Sequence, residues 1–460
     1  MPYIPNTDAN RADMLKKIGV KSFEELIADI PPEIRCQAEL KLPAALSEME
    51  AAKHLEALAA QNAPAASAVS FLGGGSYDHY IPAAINHILL RSEFYTAYTP
   101  YQAEVSQGTL QVIYEFQSLI CSLTGMDVAN ASMYDGATAL AEAGLLACNH
   151  TRRKQLAVLR SVHPNYRAVL QTYCRGLGIE IVEIGWQDGQ ADLDALGKAV
   201  SDKTAGVLVQ HPNFLGCLEP VEEIEKISHR HGALFAVSVD PISLGVLKEP
   251  GAYNADIVTA EGQALGLSQG MGGPYLGLFA AKKDFLRLMP GRIAGLTTDA
   301  KGREGAVLTM QAREQHIRRE KATSNICSNE ALCALAATIY LSLLGREGLK
   351  RVAELCLQKS HYLAEKVKPA FNAPFFKEFA VETKIDPRHL IDELKRDGIL
   401  AGLDLEPLYK DLSGHLLIAV TEKRTREEIN RLAAKLVRRR RMKRMNHQRC
   451  PARRGGIISS

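Results

Sequence analysis

TAGVLVQHPNFLGCLEPVEEIEKISHRHGALFAVSVDPISLGVLKEPGAYNADIVTAEGQ, residues 204–263, carries a full alternation of apolar and amphipathic segments. Ala205–Val209, Leu234–Val239 and Asp256–Thr259 are short, mostly apolar runs, and Val221–His229 between the first two has apolar residues at helical spacing. β-Branched runs of this length, bounded by Gly and Pro and spaced by helices, predict strands buried on both faces of a mostly parallel sheet. The pattern continues outward. Upstream lie a strand at Leu156–Leu159, a helix starting near Tyr166, a strand at Ile179–Ile184 and a helix near Leu193–Val200; downstream comes a strand at Tyr275–Ala281. The expected class is α/β and doubly wound, a fold whose ligands gather at the carboxyl ends of the strands.

This alternation defines a large domain over residues 66–345, closed by SNICSNEALCALAATIYLSLLG at 324–345. That stretch reads as a buried helix capped by Ser or Asn and stopped by Gly345. Beyond it, a helix at Leu349–Val367, strands at Phe375–Val381 and Leu416–Val420 and a closing helix at Arg426–Val437 make a smaller α+β domain over 346–437. Residues 1–65 read as a helical arm. Ser22 with Glu25 and Ser47 with Glu50 have the capping-box form, Pro31-Pro32 stops the first helix, and Asn62–Ser67 is a small-residue linker.

The 460-residue chain has a formal charge of +3, but the sign misleads. From Val437 onward nine Arg or Lys occur with no acid; without them 46 basic residues face 52 acidic ones, a net charge of −6. The body is therefore acidic, and 438–460 is a basic tail of the kind that stays solvated. No aromatic residue interleaves with its arginines, so a nucleic-acid platform is not expected. The nine cysteines are scattered without metal-ligand spacing, as in reduced cytoplasmic proteins. No secretory signal or bilayer-length apolar run stands out.

Two polar segments remain unexplained by packing. TAYTPYQAEVSQGTLQVIYEFQSLICSLTGMDVANASMYDGATA (96–139) crowds Tyr98, Tyr101, Gln102, Glu104, Gln107, Asn130, Tyr134 and Asp135 into loops around a helix at about Thr109–Thr124. Its second loop opens another helix and has the form of an anion site. FLGGGSYDHY (71–80) is a glycine-rich loop whose free N–H groups are able to cradle a phosphate, though it lacks the spacing of a dinucleotide or Walker loop. FLGGGSYDHYIPAAI (71–85), TPYQAEVSQGTLQ (99–111) and TGMDVANASMYDGATAL (124–140) are similar to one family, the glycine decarboxylase P-protein of the glycine cleavage system, and to the first chain of its two-subunit form. The resemblance runs from about Met1 to Val437; the tail departs from it.

The resemblance implies a fold-type I pyridoxal-phosphate (PLP) transferase architecture and the PLP-dependent decarboxylation of glycine. Carbon dioxide leaves, and the aminomethyl group passes to the lipoyl arm of the H-protein. Such an enzyme needs a lysine for its Schiff base. The segment ADIVTAEGQALGLSQGMGGP (255–274) contains none, and alignment with the family's catalytic chains puts Gln263 in that place. Lys282 and Lys283 read instead as a solvated helix start. The resemblance therefore implies PLP held covalently by a partner subunit, in a heterotetramer of two copies of each chain. Asp240, at a strand end, is either a cap of the Pro241 turn or a relic of the acid that faces the pyridine nitrogen. His163 either stacks on a cofactor or is a hydrogen-bonded loop histidine. Tyr98, Tyr101, Gln102 and Glu104 are expected to wall the partner's site, with ordinary interface packing as the alternative; Ala103 stands where the family would have proline. Two rivals stay open: an independent PLP decarboxylase or aminotransferase, and a non-catalytic scaffold.

Overall fold

The computed structural model describes residues 6–35, 41–62, 67–270 and 272–437. Most of the expected linker and the whole basic tail lie outside these residues. Contacts divide the chain into two units, 1–63 and 64–460.

The first unit is short helices with few contacts of their own. α1 (Asp8–Ile18) is capped by Thr7 and Asn10 and ends at Gly19 in the left-handed region (φ 92°). Ser22 caps a single turn, but Glu25 turns to the Lys21 N–H, so the expected reciprocal box is incomplete there. α2 (Glu48–Ala59) has the complete Ser47–Glu50 box. Neither helix buries a residue.

The second unit is built on a seven-stranded sheet. Its strands are β1 (Val128–Ala129), β2 (Gln155–Leu159), β3 (Glu180–Ile184), β4 (Thr204–His211), β5 (Leu234–Val239), β6 (Ile257–Glu261) and β7 (Gly277–Ala281), in the order β1-β7-β6-β5-β4-β2-β3. The neighbours from β6 to β3 pair in parallel, whereas β7 runs antiparallel to both its neighbours. Every residue of β5 is buried, as the unbroken apolar runs predict. α3 (Gln107–Thr124), α4 (Gly136–Thr151), α5 (Pro164–Arg175), α6 (Leu193–Ala199) and α7 (Val221–Arg230) cover the sheet. The buried face of α4 is mostly Ala and Gly, and a Cβ on Gly144 would crowd Leu156 of β2.

A hairpin that the apolar pattern does not announce follows: β8 (Ile293–Thr298) and β9 (Glu304–Thr309). Gln107 ties it to the start of α3, donating to Ala306 O and accepting from Ala306 N, each at 2.9 Å.

The long helix differs from expectation at its start. α8 runs Ala331–Val367, with non-helical backbone at Gly345 (φ 57°, ψ −170°). The break at Gly345 is as expected, but residues 324–330 are extended because their polar groups are committed elsewhere. The Cys327 N–H goes to Tyr134 Oη, the Asn329 amide to Ala131 O and the Glu330 N–H to Ser132 Oγ. Part of α8 is apolar enough to span a bilayer by composition, but Cys333–Leu341 is packed inside the main core.

The smaller sheet joins β10 (Glu378–Glu382), β12 (His415–Ala419) and β11 (Leu403–Asp404), all antiparallel. α9 (Pro387–Arg396) and α10 (Arg426–Leu436) flank it. Phe71 from the glycine-rich segment lies in the same core as Leu363, Phe379, Ile418 and Leu432.

Candidate functional site: a cofactor pocket filled by its own side chains

The carboxyl ends of β4, β5 and β6 converge on one pocket, lined by Gln210, Ser238–Pro241 and Glu261. Two other segments close over it, the glycine-rich loop through Gly75 and Tyr77, and Phe376–Glu378 leading into β10.

Asp240 caps the Pro241 turn and also faces the pocket. Its Oδ1 accepts the Ile242 N–H at 3.0 Å, capping the turn, while Oδ2 faces the pocket and pairs with Lys377 Nζ at 2.7 Å. Lys377 is only 1% exposed. Its ammonium also donates to His79 Nε2 at 2.9 Å and stands 3.7 Å from the Tyr77 ring centroid. His79 in turn donates from Nδ1 to Glu422 at 2.6 Å. A line Asp240–Lys377–His79–Glu422 therefore crosses the interior. Burial, with the Lys377 charge adding to it, lowers the His79 pKa, and Lys377 donating to Nε2 leaves a ring proton on Nδ1. Burial alone would raise Glu422, but hydrogen bonds from His79 and from the Tyr80 N–H bring it to about 2.

Two further carboxyls sit in the pocket. Burial pushes Glu378 to about 7 even though it accepts from the Gly74 N–H (2.7 Å) and the Tyr77 hydroxyl (2.9 Å). Burial likewise pushes Glu261 to about 8, although it accepts from Gly136, Gln263 and Leu276 N–H groups. Gly73 is required here, since a Cβ on it would overlap the Glu378 carboxylate. The phosphate-cradle reading of this loop is corrected: its Gly74 and Tyr77 N–H groups go to Glu378 and Gln263.

Gln263 is 1% exposed and acts as a staple. Its Oε1 accepts from Tyr77 N at 2.9 Å, and its Nε2 donates to Tyr77 O and Leu267 O. His163 donates from Nε2 to Gly74 O at 2.8 Å, accepts from Asn165 N, and stacks on Tyr166 with ring centroids 4.8 Å apart. Burial lowers it to about 4. Its stacking partner is a ring of its own chain. Lys282 pairs with Asp256 at 2.6 Å and does not line the pocket.

Tyr98, Tyr101, Gln102 and Glu104 form one surface loop. Tyr98 is 83% exposed, Gln102 and Glu104 are also exposed, and Glu104 sits in the 3-10 turn Ala103–Val105. Tyr101 is 50% exposed, with its hydroxyl 3.4 Å from Arg292 Nη2.

The model of the family described as glycine cleavage system P-protein matches residues 1–436. The chain belongs to that family. A relative from Desulforamulus reducens, named probable glycine dehydrogenase (decarboxylating) subunit 1, is 56% identical over 442 residues, covering 95% of this chain and 99% of its own. The crystal structure of a glycine decarboxylase (P-protein) of the glycine cleavage system, in inhibitor-bound form, superposes with a TM-score of 0.88 at 43% identity, covering 95% and 99% of the two chains. A glutamate decarboxylase from Lactobacillus brevis shares the fold alone, with a TM-score of 0.65 at 13% identity over 88% of this chain and 95% of that one. The architecture is thus that of the fold-type I PLP enzymes.

Measured against PLP, this P-protein chain does not fit. No lysine stands at Gln263, the Asp240 oxygen facing the pocket is bound by Lys377, and the side chains leave a cavity of about 30 Å³. That is room for a water or two, against roughly 300–1,000 Å³ for ordinary ligand pockets. Reading the sequence by motif misses Lys377, Glu378, His79 and Glu422. The signal for the first two was present: Lys-Glu stands inside FFKEFAV (375–381), a run otherwise apolar enough to be a buried strand.

Proposed function

We propose that this chain works as subunit 1 of the glycine cleavage P-protein, a glycine dehydrogenase (aminomethyl-transferring, decarboxylating), in the cytoplasm. It pairs with a subunit 2 that carries PLP on a lysine, as a heterotetramer of two copies of each chain. The pair decarboxylates glycine, releases carbon dioxide and passes the aminomethyl group to the lipoylated H-protein. When bound to the partner, PLP supplies the sink for the electron pair left as carbon dioxide departs. This chain's part is a wall: Tyr98, Tyr101, Gln102 and Glu104 face the partner's site. Asp240 and His163 are relics of a cofactor site that no longer takes the group.

One observation carries this reading. The pocket at the carboxyl ends of β4, β5 and β6 is filled by the Lys377–Asp240 pair, with Gln263 holding Tyr77 over it, while an aromatic loop stands at the surface. Borohydride reduction of the mixed subunits with PLP, followed by peptide mapping, is the test. A reduced adduct on subunit 2 and none on this chain is expected. A stoichiometric adduct on Lys282, Lys283 or Lys377 of this chain would overturn the proposal.

A further inference from the structure

Arg292, the residue before β8, is 4% exposed, yet its guanidinium is poorly matched. Nη1 lies 3.4 Å from Asn329 Oδ1, Nη2 lies 3.4 Å from Tyr101 Oη, and Nε has no partner. Among the described residues no carboxylate pairs with it. Both contacts are at the outer limit for a hydrogen bond, and a buried charge is normally matched by an opposite one. Arg313 and Arg424 also leave Nε without a partner, but their terminal nitrogens are better matched. Arg313 gives its two terminal nitrogens to the carbonyls of Met289 and Gly291, and Arg424 pairs with Asp78.

The guanidinium lines a cavity of about 230 Å³ between the Phe94–Pro100 segment, α3 and the start of α8. Its polar walls are neutral: Thr99, Thr109, Ser328 and Asn329. Tyr95 and Tyr98, which also line it, are 64% and 83% exposed. A buried fork of N–H donors with only two long, neutral acceptors, an unpartnered Nε and no acid in the cavity wall is a receptor for a planar oxyanion.

We propose that Arg292, with Asn329 beside it, binds a single carboxylate group in this cavity. The carboxylate comes either from the amino-acid substrate or from an acidic side chain of the partner subunit. Which of the two it is rests on the two-subunit reading above; the receptor itself does not.

The test uses the full chain labelled with ¹⁵N-arginine, titrated with acetate and, as control, methylammonium chloride. Acetate is expected to shift one arginine Nε resonance at roughly millimolar concentration, methylammonium is not, and Arg292→Lys should abolish the response while keeping the charge. In the assembled complex the two sources separate. If the substrate supplies the group, glycine still shifts the resonance and Arg292→Gln raises the glycine KM by more than about tenfold with a smaller change in kcat. If the partner supplies it, assembly alone blocks the acetate response and Arg292→Gln weakens subunit association by a similar factor. The proposal falls if no arginine resonance moves with acetate, or if Arg292→Gln leaves both association and KM within about twofold. The borohydride experiment is independent of every one of these readings.

Discussion

Lys377 Nζ lies 2.7 Å from Asp240 Oδ2, with the Lys377 side chain 1% exposed. An ammonium of the chain itself occupies the place facing the strand-end acid.

This pairing makes a prediction about restoring the cofactor. Gln263→Lys alone should take up no PLP, because the cavity stays small and Asp240 stays engaged. Gln263→Lys combined with Lys377→Ala should give a measurable borohydride-reducible adduct. An adduct in the single variant would show that Lys377 does not block the site.

Lys377 should also matter for stability. Lys377→Met leaves Asp240 and His79 facing an apolar side chain, and breaking one side of a buried pair costs ~3–5 kcal/mol. Urea denaturation should show a loss of that size. A change below about 1 kcal/mol would mean that the line from Asp240 to Glu422 is held by other contacts.

Glu378 gives a pH test. Its pKa is about 7 in the fold against an ordinary 4.5. Over that range the folded state keeps a proton that the unfolded state has released, so stability falls as pH rises from 4.5 to about 7 and is level above. Glu378→Gln can accept from Gly74 N and donate to the Tyr77 hydroxyl without titrating. Between about pH 5 and about pH 8 the variant should gain ~1–3 kcal/mol on the wild type. A stability difference independent of pH would refute the assignment.

The surface loop is tested by activity. Tyr101→Phe and Glu104→Gln preserve volume, so assembly should survive. Glycine-dependent bicarbonate exchange should drop by more than about tenfold, the worth of one placed hydrogen bond to a charged group. Wild-type exchange in both variants with assembly intact would favour the scaffold reading.

The large sheet was legible because its strands are continuous apolar runs between Gly and Pro, and the parallel order follows from the helices between them. The β8–β9 hairpin was not. Its strands, IAGLTT and EGAVLT, are short and half exposed, and their alignment depends on Gln107, far away in sequence. The late start of α8 was equally hidden, since Tyr134 and Ser132 take up backbone groups that a local reading gives to the helix. At the site, Gln263 and Asp240 could be picked from spacing and resemblance. Lys377 could not be joined to Asp240, because 137 positions separate them and only the fold brings them together.

The filled pocket also bears on motion. Lys377 and Glu378, at the edge of the smaller sheet, reach Asp240, Gly74 and Tyr77 on the larger body, and Thr421, Lys423 and Arg424 hold Asp78 from the same side. A hinge between the two lobes would have to break this set of charged bonds together. The side chains that fill the cavity are thus a lock, and this chain presents a fixed face.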